Sequence, residues 1–177
     1  TTSITGVEGT DKEYVDGGIY KNGEYIFAKD SKVTLTNGVA AINAQKDLTV
    51  KAANATLNLS SSGGKKSVGI NANDKNVNIT ANKVNIVVNN AAGEANGIAL
   101  LGQDAAKKGV TTINGNVNIE ATGQGKAFGI SADGNSELNI NGNLTMKDTQ
   151  GSWGVKNTNS GANAYEYLGV AGLKTQW

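Results

Sequence analysis

The sequence predicts an all-β protein: a right-handed parallel β-helix, a three-strand solenoid of about five coils behind an irregular N-terminal capping segment. Three observations lead there. Apolar residues alternate with polar ones at a period of two, as in Val77-Asn78-Ile79 and Val84-Asn85-Ile86, which is strand periodicity. The segments between the runs, such as residues 73–76 and 81–83, are polar, turn-forming and too short for helices. A glycine followed by a β-branched aliphatic then recurs: Gly38-Val39, Gly69-Ile70, Gly97-Ile98, Gly129-Ile130, Gly154-Val155 and Gly169-Val170. The intervals between these glycines are 31, 28, 32, 25 and 15 residues. Periods of 20–50 residues mark stacked repeats, and the last interval is too short for three strands.

Residues 1–32 are the least repetitive and carry Glu8, Asp11, Glu13 and Asp16 among Tyr14, Tyr20, Tyr25 and Phe27. They divide from the repeats at 33–177 as a capping segment. Short strands are expected at 18–20 and 24–28, paired as a hairpin through Asn22-Gly23, closing the open end of the solenoid. After each glycine anchor two further strands are expected: 47–51 and 55–59, then 76–80 and 83–88, then 110–113 and 116–120, then 137–140 and 143–146. Residues 60–66, 89–95, 102–109 and 122–126 read as solvated loops. From about residue 156 the repeat shortens, and Tyr165-Glu166-Tyr167 reads as end packing.

Alternation assigns the faces. Leu57/Leu59, Val77/Ile79, Val84/Ile86, Val117/Ile119 and Leu138/Ile140 point inward. Asn58, Asn78, Asn85, Asn118 and Asn139 point outward, where asparagines stacked in register form amide ladders. Val68, Asn96, Phe128 and Trp153, each two residues before an anchor aliphatic, share its face. Phe128 and Trp153 therefore stack in successive coils, inside the helix or at a corner; a surface platform for sugars is the alternative.

Composition narrows the function. Of 177 residues 24 are Gly and 24 are Asn, with no Pro, Cys or His. Thiol nucleophiles, histidine bases and ordinary zinc sites are thereby excluded. The carboxylates after residue 32 are Asp47, Asp74, Glu94, Asp104, Glu120, Asp133, Glu137, Asp148 and Glu166. They occupy no recurring position and form no pair suited to glycoside cleavage. Net charge is +1 and the lysines form no stripe, so nucleic acid is not the expected partner. No apolar run approaches the ~20 residues of a membrane span. Calcium repeats and phosphate loops are absent, and Thr34-Leu35-Thr36 does not recur as an ice-binding row would. No cofactor, metal, catalytic or ligand-binding residue is indicated, and the chain is expected not to be an enzyme. A start at Thr1 reads as a processed form or a slice of something longer.

The units N-V-N-I-E-A-T-G-Q-G-K-A-F-G-I-S-A-D-G (116–134) and L-N-I-N-G-N-L-T-M-K-D (138–148) resemble the passenger regions of Gram-negative autotransporters, the secreted β-helices of type V secretion. The resemblance covers roughly residues 33–160 and lies in repeat style. It implies an extracellular rod at the bacterial surface, exported through an outer-membrane barrel. It implies an adhesin or self-association role, with a cell-surface protein or glycan as partner. The expected function is thus attachment, with a passive spacer or a carbohydrate-active β-helix as the alternatives.

Overall fold

A computed structural model of the chain describes residues 2–8, 14–15, 18–19, 23–124, 126–146 and 153–159. In chain order the strands are β1 (Thr2–Glu8), β2 (Tyr14–Val15), β3 (Gly18–Ile19), β4 (Gly23–Thr36), β5 (Ala40–Ala44), β6 (Leu48–Ser62) and β7 (Lys66–Asn73). They continue with β8 (Val77–Asn90), β9 (Glu94–Gly102), β10 (Gly109–Gly123), β11 (Lys126–Gly134), β12 (Ser136–Asn141), β13 (Leu144–Met146) and β14 (Trp153–Asn159). No helix occurs among the described residues. One sheet runs β1-β4-β6-β8-β10-β12, with β13 also on β10; the other runs β14-β11-β9-β7-β5-β3-β2. Within the stack the strands are parallel, and from β4 to β12 successive strands alternate between the sheets, so each coil contributes to both. The fold is a parallel β-solenoid of about four turns, where the glycine anchors suggested about five. Only β14 of the next coil lies among the described residues.

The in-register columns explain why this sequence winds as it does. Val50, Ile79, Ile113 and Ile140 pair coil on coil, as do Leu59, Ile86 and Ile119. Ile42, Ile70, Ile98 and Ile130 form the third column, on the other sheet. All are at most 2% exposed. Stacking at ~4.8 Å places each branched side chain against the same side chain of the next coil. The inward pairs expected from alternation all belong to the same buried apolar core.

Buried hydroxyls interrupt the apolar columns at Ser31, Ser61 and Thr111. Thr111 pairs with Val77 below and Leu138 above, is 1% exposed, and its Oγ1 has no hydrogen-bond partner. A buried hydroxyl without a partner costs free energy that an isosteric methyl does not. Thr111→Val is therefore expected to raise stability by about 1 kcal/mol. Urea denaturation checks it; a lower midpoint would mean that the hydroxyl is satisfied.

Four expectations need correction. The strands of the first sheet are long: β6, β8 and β10 each span two of the strands expected separately. The corner inside them is a register irregularity, as between Ala52 and Thr56, because few and small residues turn there while pairing continues on both sides. The first coil is anchored by Ala41-Ile42, since Ile42 pairs with Ile70, whereas Val39 is 52% exposed. The hairpin through Asn22-Gly23 does not form. β3 pairs with β2 and β5, whereas β4 pairs with β1 and β6, so the two strands enter different sheets.

The fourth correction concerns faces. Val68 and Ile70 do not share one: Ile70 lies in the main column, whereas Val68 clusters with Ala40 and Ala99. Gly69 lies between them, and the register of β7 on β9 is the same on both sides of it, Val68↔Asn96 and Ile70↔Ile98. A Cβ on Gly69 would meet Ile86 Cγ2 at 2.4 Å and the Gly97 carbonyl oxygen at 2.5 Å. Gly97 stands in the same relation to Ile119 and Gly129. Phe128 is 8% exposed and outside the main column, in register with Trp153. Residues 165–170 lie outside the described residues.

Candidate functional site

Three hollows on the outer surface are candidates, and each is built by residues one coil apart. Sequence distance hides them; stacking brings them together.

The first lies beside an amide ladder. Asn58, Asn85 and Asn118 pair in register. Asn118 Nδ2 donates to Asn85 Oδ1 at 3.0 Å, and Asn85 Nδ2 donates to Asn58 Oδ1 at 3.1 Å. Asn58 Nδ2 continues to the Ser31 carbonyl at 3.3 Å. The expected ladder therefore exists. It flanks a shallow hollow with Val87, Glu120 and Thr145. Here the amides largely satisfy one another, and Glu120 is the only charged side chain lining the hollow.

The second hollow lies at the corner between the sheets and is lined by Lys46, Asp47, Asp74, Lys75 and Lys107. Its carboxylates act as corner pegs. Asp47 Oδ1 accepts the Asn76 N–H at 2.9 Å, and Asp74 Oδ1 accepts those of Gln103 and Asp104 at 2.7 and 3.0 Å. Asp74 has a φ of 56°, the left-handed conformation that Asp tolerates at turns. The sequence kept these two carboxylates apart; the coil repeat brings them to one hollow. No group of three or more metal-ligating side chains occurs among the described residues.

The third hollow lies beside β7 of the second sheet, where the turn after β4 meets the turn after β6. It is lined by Asn37, Gly38 and Val39, by Gly64, Lys65 and Lys66 of the next coil, and by Val68 and Asn71 of β7. Asn71 Nδ2 donates to Asn43 Oδ1 at 3.0 Å. The next residue in that column is Ala99, which cannot extend the ladder. Lys66 forms an ion pair with Glu94 at 3.6 Å. The Lys65 ammonium has no carboxylate partner among the described residues.

The walls of this hollow are fixed. Asn37 Oδ1 accepts the Gly64 N–H at 3.1 Å. From the next coil Asn90 Nδ2 donates to the Gly63 and Gly64 carbonyls at 3.2 and 3.1 Å and to Ser67 Oγ at 3.2 Å. Asn90 is fully buried. This corrects the reading of 60–66 and 89–95 as solvated loops. Ser61 and Ser62 continue β6, and Asn90 is an internal peg. An asparagine in an Asn-Ala-Ala-Gly turn gives no sequence signal of burial, because its acceptors lie 26 and 27 residues away.

The geometry defines a class, the parallel β-solenoids, with amide- and hydroxyl-rich outer faces. No family model, curated protein or solved structure matches the chain.

Proposed function

We propose that this chain is a stretch of an extracellular β-helical rod, the passenger region of a bacterial surface adhesin of the autotransporter type. It acts by attachment to a cell-surface protein or glycan, or to other copies of itself, and not by catalysis. The observation that carries the reading is the outer surface. In-register columns such as Thr49-Asn78-Thr112-Asn139 present short neutral hydrogen-bonding groups, while the aliphatic residues fill the interior. Such a surface offers many weak donors and acceptors to a partner, and repetition along a rod multiplies them into avidity. The polar atoms of the corners are committed to backbone groups of neighbouring coils, which suits a rigid scaffold.

The test coats beads with the chain and counts their attachment to epithelial cells and to bacterial cells. Attachment above that of beads carrying an unrelated β-solenoid of similar length is the expected result. Equal counts would favour a passive spacer. Release of reducing sugar from a polysaccharide panel would instead reveal a carbohydrate-active enzyme.

A further inference from the structure

We infer that the concave hollow around Val39, Lys65 and Asn71 is a binding site for a saccharide bearing a carboxylate, a sialic or uronic acid residue. The inference rests on the attachment reading and names its ligand class.

Four observations carry it. Val39 is 52% exposed, one of two large hydrophobic side chains that are exposed among the described residues. It lines the hollow together with the buried Val68, so its exposed side chain offers an apolar surface on which the C–H face of a pyranose ring packs. Asn71 spends one N–H on Asn43 and meets Ala99 on its other side. Its Oδ1 and second N–H are thus left for hydroxyl groups lying in the hollow. Lys65 supplies an ammonium without an ion-pair partner among the described residues, beside Lys66, whose partner Glu94 is only 3.6 Å away. Two cations against one carboxylate leave a positive balance, which complements an acidic ligand. Finally, the Lys65 main chain is held in place: its carbonyl accepts the Glu94 N–H at 3.4 Å, and Asn37 and Asn90 pin Gly64 before it. A site built on fixed backbone loses less entropy on binding.

The other two hollows fit less well. Glu120 would repel an acidic sugar at the amide ladder, and at the corner Asp47 and Asp74 offset the lysines. An extended peptide is also a poorer occupant. β5 is already paired with β3 and β7, so no free strand edge is available for it to join.

The experiment measures binding of 3′-sialyllactose, trigalacturonate and neutral lactose to the purified chain by saturation-transfer NMR and calorimetry. Either acidic probe is expected to bind more tightly than lactose, with affinity falling as salt rises, and their ranking separates a sialic from a uronic source. Lys65→Glu and Asn71→Ala, with circular dichroism and melting unchanged, are each expected to weaken that binding about tenfold, the scale of one charge-assisted or well-made hydrogen bond. Equal binding of lactose, or affinities unmoved by both substitutions, overturns the assignment. If beads attach to cells while neither acidic probe binds, this site is wrong and the attachment reading stands. Attachment removed by protease but not by sialidase or pectinase treatment of the target overturns it in favour of a protein partner.

Discussion

Gly102→Ala is expected to lower stability by about 3–5 kcal/mol, an unusually large effect for the addition of one methyl group. Gly102 ends β9 where the corner of the next coil crosses it. A Cβ there would lie 2.0 Å from the Asn135 carbonyl oxygen, 2.2 Å from its carbon and 2.7 Å from its nitrogen. These three nearest atoms are all backbone of Asn135, so no rotamer change relieves the clash. The corner at Asn135 would have to lift away. Asn135 N–H donates to the Gly102 carbonyl at 2.9 Å, Gly109 N–H donates to the Asn135 carbonyl at 3.2 Å, and Asn135 Nδ2 donates to the Asp104 carbonyl at 3.0 Å. Three hydrogen bonds at ~0.5–1.5 kcal/mol each, together with the steric cost, give the expected range. For a chain of this size that is a fall in melting temperature on the order of 10 °C. Gly64→Ala is the control. Its φ of 70° strains an alanine, but the nearest atom to its Cβ is 3.8 Å away. Only the backbone term remains, about 1–2 kcal/mol. Similar losses in the two variants would show that the corner at Asn135 yields.

The two variants also separate what the sequence discloses from what it hides. Leu57, Ile79, Ile86, Ile119 and Ile140 were legible as core because alternation is a property of a strand by itself. The Asn58-Asn85-Asn118 ladder was legible for the same reason, since an asparagine between two inward aliphatics has one direction left. The phase of the first coil was not legible. Gly38-Val39 and Ala41-Ile42 are both a small residue followed by a β-branched one, three positions apart, and only pairing of Ile42 with Ile70 decides between them. The face of Val68 was not legible either, because alternation alone puts it with Ile70, whereas the two fall in different apolar clusters. The third hollow was hidden because Asn37 and Gly64, or Val39 and Val68, become neighbours only through the coil repeat. Local signals thus report which residues are buried; the site depends on how far each coil is shifted against the next.

Ile79→Asp is expected to be the most damaging single change, and its damage should depend on pH. Ile79 is 0% exposed, pairs with Val50 and Ile113 in the central coils, and has no charged or polar side chain among its column partners. Losing the aliphatic group alone costs about 2–5 kcal/mol. The carboxyl group must in addition be neutral in the folded chain or carry its charge out of water. Burial raises its folded-state pKa above the unfolded value of ~3.9, by as much as 3–5 units at a fully buried site. Each unit is worth ~1.4 kcal/mol once the unfolded chain ionises. A folded pKa raised in this way leaves the group's contribution intact below about pH 4 and removes it as pH rises toward the folded value. The gap between the variant and the native sequence, compared at equal pH, is therefore smallest near pH 3 and widest near pH 7. At neutral pH it approaches the whole stability of an ordinary domain, ~5–15 kcal/mol, so the variant should lose its cooperative transition there and regain it in acid. Ile79→Asn has a similar size and polarity but does not titrate, and its deficit should stay constant with pH. Chemical denaturation of the three chains across this range measures both. A deficit for Ile79→Asp that is small at pH 7, or that fails to shrink in acid, would mean that position 79 reaches water and that the continuous aliphatic column does not hold the coils together.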